Sequence, residues 1–534
     1  MPSNIARSLI LAVGTLLLTA CPTSNPVECR DISSCDLGPG GACVASPSGN
    51  RWCAYPDSTC ASGQRYSDQS VGDGLAGTCV AEMIDAGVDA EMVDATDAPV
   101  DASIDGNGIA DPFVIRHGSD SGDSGTSIAA LGTGILVGGN MGGPTNFGGG
   151  PLSGGRFVAR FDFDGGHVWS KGFGANGVAV ATDGTGNAIL GGNFTQPFTL
   201  GGSGDTLTPV VVDGYVGKLA ASNGAHVWSK KLGGADSDLV NAVATFSNGD
   251  VLVAGTFRGT INLGGSNLTT TASATNSFVA RLAALDGAHV WSIAITGTQA
   301  NSADAVAVDA NGDVLVSGFF RGTTTIGTTD HSSNGESDGF VARLDGSSGA
   351  RIWSMSFGGG GFEGAPYVAP SSDGGVLVGG RFTASFSFGS TALANVAMAD
   401  GLVAKLNGAT GASVWAFAFG GPDIDDVRGV AEVGGQVLVG ATFAQSAMFG
   451  GQNVNAVAGT EILVGRINLA TGAAAGATRL GGSGADQVSR LTSAGDGTHY
   501  LITGAFQNSI DFGIATLSAT GTNSSDIYAG KLLP

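Results

Sequence analysis

A tryptophan returns about every sixty residues along most of this chain. Trp169, Trp228, Trp291, Trp353 and Trp415 stand 59, 63, 62 and 62 positions apart. Each lies in a similar segment: FVARFDFDGGHVWSKGFG (157–174), YVGKLAASNGAHVWSKKLGG (215–234), FVARLAALDGAHVWSIAITG (278–297), FVARLDGSSGARIWSMSFGG (340–359) and LVAKLNGATGASVWAFAFGG (402–421). A degenerate copy without the tryptophan fills 462–482. A fixed period of this length means an array of one supersecondary unit, whose apolar faces are covered only by its neighbours.

A second motif alternates with the first. Its best copy is DAVAVDANGDVLVSGFF (304–320), and seven versions occur, the earliest being TSIAALGTGILVGGN (126–140). Each reads as strand, tight turn, strand, with β-branched residues split by NG, DG or GG pairs that accept positive φ. The tryptophan motif adds two more strands around a glycine turn. Four strands per unit at this period predict propeller blades. The ends are complementary: the last copy stops at DIYAGKLLP (526–534), and an orphan strand, Phe113–His117, precedes the first. Pairing of the two predicts an all-β, seven-bladed β-propeller over 112–534 whose N-terminal strand completes the last blade. An open solenoid would instead need capping repeats.

The composition fits that fold. Charged residues are 13% of the chain, against about 25% in ordinary domains, and glycine accounts for 92 of 534 residues. The formal net charge of −22 argues against nucleic acid, whose phosphates demand a basic face. It equally disfavours adsorption to an anionic lipid surface.

The units resemble the SBBP family of bacterial β-propeller repeats. The resemblance rests on the strand pair ending V-L-V-x-G-x-F, a segment such as TINLGG (260–265), and D/N-x-F-V-A-R-L followed by a glycine turn and V-W-S. It covers about 112–534 and implies an extracytoplasmic propeller with no defined chemistry. TGASVW (410–415) is similar to a motif of quinoprotein dehydrogenases and of the propeller lipoprotein of outer-membrane barrel assembly. Thr410 and Thr471 alone keep its threonine, so it is read as blade packing and not as cofactor binding.

The N-terminus reads as an address. Arg7 precedes a short apolar run, Ser8 to Leu18, and Leu18-Thr19-Ala20-Cys21 resembles a lipobox. That resemblance implies a signal peptide (1–21) and acylation of Cys21, for example by palmitate, giving a lipoprotein held at the outer membrane or cell surface by its lipid anchor alone. Six further cysteines, Cys29, Cys35, Cys43, Cys53, Cys60 and Cys79, fall within 22–82. An even number in a short exported stretch predicts a disulfide-stapled module, with fifteen pairings open. Residues 83–111, rich in Asp-Ala pairs and without aromatic, Lys or Arg, predict a disordered acidic tether with a reach of about 90 Å. Head and tether together look like those of surface lipoproteins from myxobacteria.

No catalytic constellation stands out. His167, His226 and His289 recur in register, which points to packing. Gly122-Asp123-Ser124-Gly125 matches a protease nucleophile motif by chance in a Gly/Ser-rich chain. One pattern concerns ligands: several inter-blade loops carry an acid after a glycine pair, namely Asp238, Glu363, Asp425 and Asp486, with Asp123 and Asp304 as looser matches. Gathered near the channel they would form a carboxylate ring able to take Ca²⁺ or a cationic ligand. Asp also favours such turns for its backbone bonds alone. The expectation is a monomeric, non-enzymatic binding or scaffold protein whose loops on one propeller face hold a protein or glycan. The alternative is an enzyme, a lyase or hydrolase, acting on extracellular polysaccharide.

Overall fold

The computed structural model describes residues 42–45, 51–56, 64–66, 112–202, 205–270, 274–521 and 524–534. The chain divides into two units, 1–95 and 96–534. In the first, Ala42–Ala45, Arg51–Pro56 and Gln64–Tyr66 form a three-stranded antiparallel sheet. Cys43 lies opposite Cys53 in its register, and Cys53 is disulfide-bonded. The expected acyl site Cys21, the tether 83–111 and Cys29, Cys35, Cys60 and Cys79 lie outside the described residues.

The second unit is a seven-bladed β-propeller. Its blades span 124–173, 179–232, 239–297, 301–357, 363–419, 426–482 and 486–532; the first six each have four antiparallel strands in sequence order from the channel outward, and the seventh range supplies three of its blade's four. The outermost strand of blade 7 is Phe113–His117, paired antiparallel with Ser525–Leu532 from Phe113↔Lys531 to His117↔Ile527. The ring is thus fastened by its own two ends, as the complementary half-motifs predict. Val114 and Ile115 are buried, so the clasp adds apolar cover as well as hydrogen bonds.

Burial follows the alternation in the sequence. The second strands are the apolar runs, VLVAGTF (251–257) and VLVSGFF (314–320) among them, and are buried on both faces. The outermost strands are largely open to solvent, with only Trp228 and Leu232 buried in HVWSKKL (226–232). Apolar clusters lie between adjacent blades: Ala305 and Leu315 of blade 4, for example, pack with Val368, Val378 and Phe382 of blade 5. No blade hides its faces alone.

The recurrent tryptophans fix the seams. Each indole Nε1–H donates to a carbonyl in the turn between the third and fourth strands of the next blade: Trp169 to Ala221 (2.8 Å), Trp228 to Ala284 (3.2 Å), Trp291 to Gly346 (2.9 Å), Trp353 to Gly408 (2.7 Å) and Trp415 to Leu469 (3.0 Å). A cation on the third strand, Arg160, Lys218, Arg281, Arg343 or Lys405, reaches the same carbonyl. In four of these blades an acid in the turn between the first two strands pairs with the cation: Asp183, Asp250, Asp313 and Asp373. A glycine of that next-blade turn lies against the indole. At Gly287, with φ 68°, a Cβ would sit 2.8 Å from the Trp228 ring, so both the conformation and the space demand glycine.

Between its second and third strands each blade carries a short hairpin or hairpin-like loop, such as Thr323–Ile326 with Thr329–Ser332. Three of these bond back to the preceding blade's outermost strand, at Thr296↔Thr325, Gly420↔Met448 and Gly481↔Asp511. Ile115→Ala removes buried contacts at the clasp and is expected to lower stability by about 2–4 kcal/mol. Denaturant unfolding monitored by tryptophan fluorescence measures this; an unchanged midpoint would mean that ring closure contributes nothing.

Candidate functional site

The four acids predicted to collect a cation fall at four different blade seams and are fully buried. Asp238, Glu363, Asp425 and Asp486 each accept a hydrogen bond from the backbone N–H four residues earlier: Gly234 (2.6 Å), Gly359 (2.7 Å), Gly421 (2.8 Å) and Gly482 (2.8 Å). Asp123 does the same with Ser119 (2.6 Å). Among the described residues no group of three or more His, Cys, Asp or Glu side chains is placed to hold a metal ion. The arrangement the four acids do make is a set of inter-blade pairs.

Each of these acids faces a second one at the start of the preceding blade's third strand. The pairs are Asp526–Asp123, Asp213–Asp238, Asp338–Glu363, Asp400–Asp425 and Glu461–Asp486, and the members of each repel electrostatically. The glycine pair of the sequence motif now has a reason. The second glycine donates its N–H; a Cβ on the first would strike the partner acid, 2.1 Å from Asp213 at Gly233 and 2.2 Å from Asp400 at Gly420. Three pairs include a cation from the outermost strand: Arg116 on Asp526 (3.0 Å), Lys231 on Asp213 (3.0 Å) and Arg479 on Glu461 (2.6 Å). Between blades 3 and 4 the pair is neutral, Asn301 Nδ2 donating to Asn276 Oδ1 at 3.0 Å.

Asp338–Glu363 and Asp400–Asp425 have no such cation. Asp400 and Asp425 each keep one buried oxygen without a hydrogen-bond partner. Burial pushes Asp425 up to about 7, and the charges of Asp400 and Asp423 add to it, against the bond from Gly421. Asp338 is pushed up to about 6 by burial, opposed by the bond from Asn334 and aided by Glu363.

The site with room for a ligand is the central channel. All seven innermost strands share a buried apolar residue: Ile128, Val180, Val243, Val306, Val368, Val430 and Leu491. One position earlier the residue is small in five blades, Ser127, Ala179, Ala242, Ala305 and Gly429, but is Tyr367 in blade 5 and Arg490 in blade 7. Two positions earlier every blade differs: Thr126, Val178, Asn241, Asp304, Pro366, Arg428 and Ser489. The register shifts here in most innermost strands, and such bulges re-aim side chains. These residues line two neighbouring cavities. One, of about 240 Å³, includes Asn241, Asp304, Tyr367 and Arg490. The other, of about 260 Å³, lies at the mouth over blades 4–6 and is lined by Phe319, Phe362, Tyr367, Arg381, Asp426 and Arg428.

Charge in the mouth is organised. Asp426 pairs with Arg428 (2.8 Å) and Arg381 (3.5 Å). The Arg381 guanidinium lies 5.4 Å from the Phe362 ring, and Phe362 packs 5.9 Å from Phe319. Asp304 accepts from Ser302 Oγ (2.5 Å) and Asn241 Nδ2 (3.5 Å), and burial pushes it up to about 6 against the Ser302 bond. Of these residues the sequence pattern singled out only Asp304. Tyr367 and Arg490 are visible there only as departures from a repeat position that is otherwise small, and Arg428 only as one residue at a position that differs in every blade. The recurrent histidines are occupied locally: His167, His226 and His289 bond Ser170, Ser229 and Ser292.

The pairs predict a pH dependence. A carboxyl whose native pKa exceeds its unfolded value near 4 contributes stability that is complete below that value and is lost as pH rises through the native one. Between pH 5 and 8 the propeller should therefore lose thermal stability, Asp238, Asp304, Asp338, Asp425 and Asp486 together outweighing His117, which burial lowers to about 4 and which acts the opposite way up to about pH 6.5. Asp373, held at about 2 chiefly by Lys405 with help from Ser371, contributes its own pH dependence only below that window. Asp425→Asn, which copies the residue type of Asn301, should raise the melting temperature at pH 8 and flatten the slope. Melting curves that are flat from pH 5 to 8 in the unmodified protein would refute this.

No family model matches the sequence, and a search of curated proteins finds no relative. A search of solved structures finds the following similarities. BamB from Moraxella catarrhalis is 15% identical, with a TM-score of 0.36 over 79% of this chain and 95% of its own. Quinohemoprotein alcohol dehydrogenase ADHIIG from Pseudomonas putida HK5 is 11% identical, with a TM-score of 0.38 over 76% and 66%. A europium-containing methanol dehydrogenase is 11% identical, with a TM-score of 0.36 over 78% and 93%.

Proposed function

We propose that this chain is a lipid-anchored surface binding protein that holds a glycan at the mouth of its channel over blades 4–6. One observation carries the reading. The repeat is kept where blades pack and abandoned where side chains face the channel. Packing demands similarity between blades, whereas a bound ligand has no sevenfold symmetry and demands differences. The mouth combines exposed aromatic area with fixed polar groups: Phe319, Phe362 and Tyr367 beside Arg381, Asp426 and Arg428. Aromatic faces suit the C–H faces of sugars, and forked guanidinium donors suit their oxygens. SBBP-type repeats and export through a lipobox ending at Cys21 belong to the same proposal.

Phe362→Ala should weaken binding at least tenfold on an array of bacterial envelope and capsule glycans, with the melting temperature nearly unchanged. Absence of any glycan signal from the unmodified protein would reject the reading in favour of a protein ligand. Cys21→Ala should abolish incorporation of labelled palmitate and release the protein from the membrane fraction.

A second reading, an enzyme acting on polysaccharide, is favoured by one feature. The mouth contains two carboxyl groups in different surroundings, Asp304 pushed up to about 6 by burial and Asp426 held in ion pairs. Such a division suits general acid chemistry. It requires depolymerisation of the bound glycan that disappears in Asp304→Asn while binding persists.

A further inference from the structure

Arg490 is a cation out of place. It occupies a position that is Ser, Ala or Gly in five of seven blades, and it lies against the channel beside the other exception, Tyr367. Its guanidinium carbon sits 5.4 Å from the centre of the Tyr367 ring. Gly429 occupies the intervening blade at the same position. Among the described residues the Arg490 guanidinium makes no ion pair and no hydrogen bond, although burial is strong enough to lower its pKa. Arg428 lines the adjoining cavity together with Tyr367, and its charge acts on the phenol. Three arginines, Arg381, Arg428 and Arg490, and two acids, Asp304 and Asp426, line these cavities; Asp426 is taken up by Arg381 and Arg428, and Asp304 by Ser302 and Asn241, in a chain whose net charge is −22. A desolvated guanidinium without a counter-ion is costly unless something supplies the negative charge.

We propose that Arg490, with Arg428 and Tyr367, forms an anion subsite in the channel, and that it binds the carboxylate of an acidic sugar, a uronate residue within the glycan. This rests on the glycan reading above and narrows it to one chemical class. The guanidinium fork matches a carboxylate in two parallel N–H···O bonds, and the Tyr367 ring covers the sugar face beside it. A neutral sugar would leave the Arg490 charge uncompensated, so the subsite selects for uronates over neutral hexoses. No covalent step is involved.

The test is isothermal titration with oligouronates (galacturonate, glucuronate and mannuronate trimers) and the matching neutral trisaccharides. The unmodified protein should bind at least one uronate trimer tenfold or more tighter than its neutral counterpart. Arg490→Gln should erase that preference and retain neutral-sugar binding; Arg490→Lys, which keeps the charge, should preserve part of it. Melting temperatures show whether each variant is folded. Equal binding of acidic and neutral trimers, or a preference unchanged in Arg490→Gln, overturns the subsite and leaves glycan binding intact. Failure to bind any saccharide overturns both.

Discussion

The propeller depends on the seam between blades. A four-stranded sheet rich in Val, Leu and Phe has two apolar faces, and water on either would cost more than one blade's hydrogen bonds return. Every seam has a greasy contact, and five of the seven add a polar latch, at Trp169, Trp228, Trp291, Trp353 and Trp415. The latch is a carbonyl of the next blade, held jointly by an indole N–H and a guanidinium or ammonium group. It sets the angle at which blades meet, and the apolar contact supplies the cohesion. Copied around the ring, the seam geometry sets the turn from blade to blade, and the ring is closed within blade 7 by two strands some four hundred residues apart in sequence.

The architecture was legible because it is redundant. The tryptophan period, the seven NG- and DG-type hairpins and the unmatched ends all report the same ring, and each arises from packing that must recur. The acids after glycine pairs were legible as a pattern but not as chemistry. Sequence places Asp425 in a loop and cannot show Asp400, 25 positions earlier, buried opposite it. The channel site was hidden for the opposite reason. Tyr367 and Arg490 gain meaning only when seven copies are superposed and the odd residues are seen to be neighbours in space.

Buried carboxyl pairs show how a low-charge chain handles polar groups at its seams. Three are balanced by Arg116, Lys231 and Arg479, one is replaced by the Asn276–Asn301 amide pair, and in two burial raises the carboxyl pKa with no cation to oppose it. The solutions differ, yet the backbone around them is the same, with the junction residue's N–H bonded to the preceding blade's carbonyl at Val212, Thr275, Ser337 and Ala399. Backbone geometry is thus the fixed element and side-chain charge the variable one.

The clasp has a mechanical consequence. The first 112 residues join the ring directly at Phe113, the start of its outermost closing strand. Any pull transmitted through that leading segment arrives first at five residues paired with Ser525–Leu532. The strand that closes the circle is therefore also the point where external load enters it, and a sufficient tug would open the disc at blade 7 before disturbing the other six.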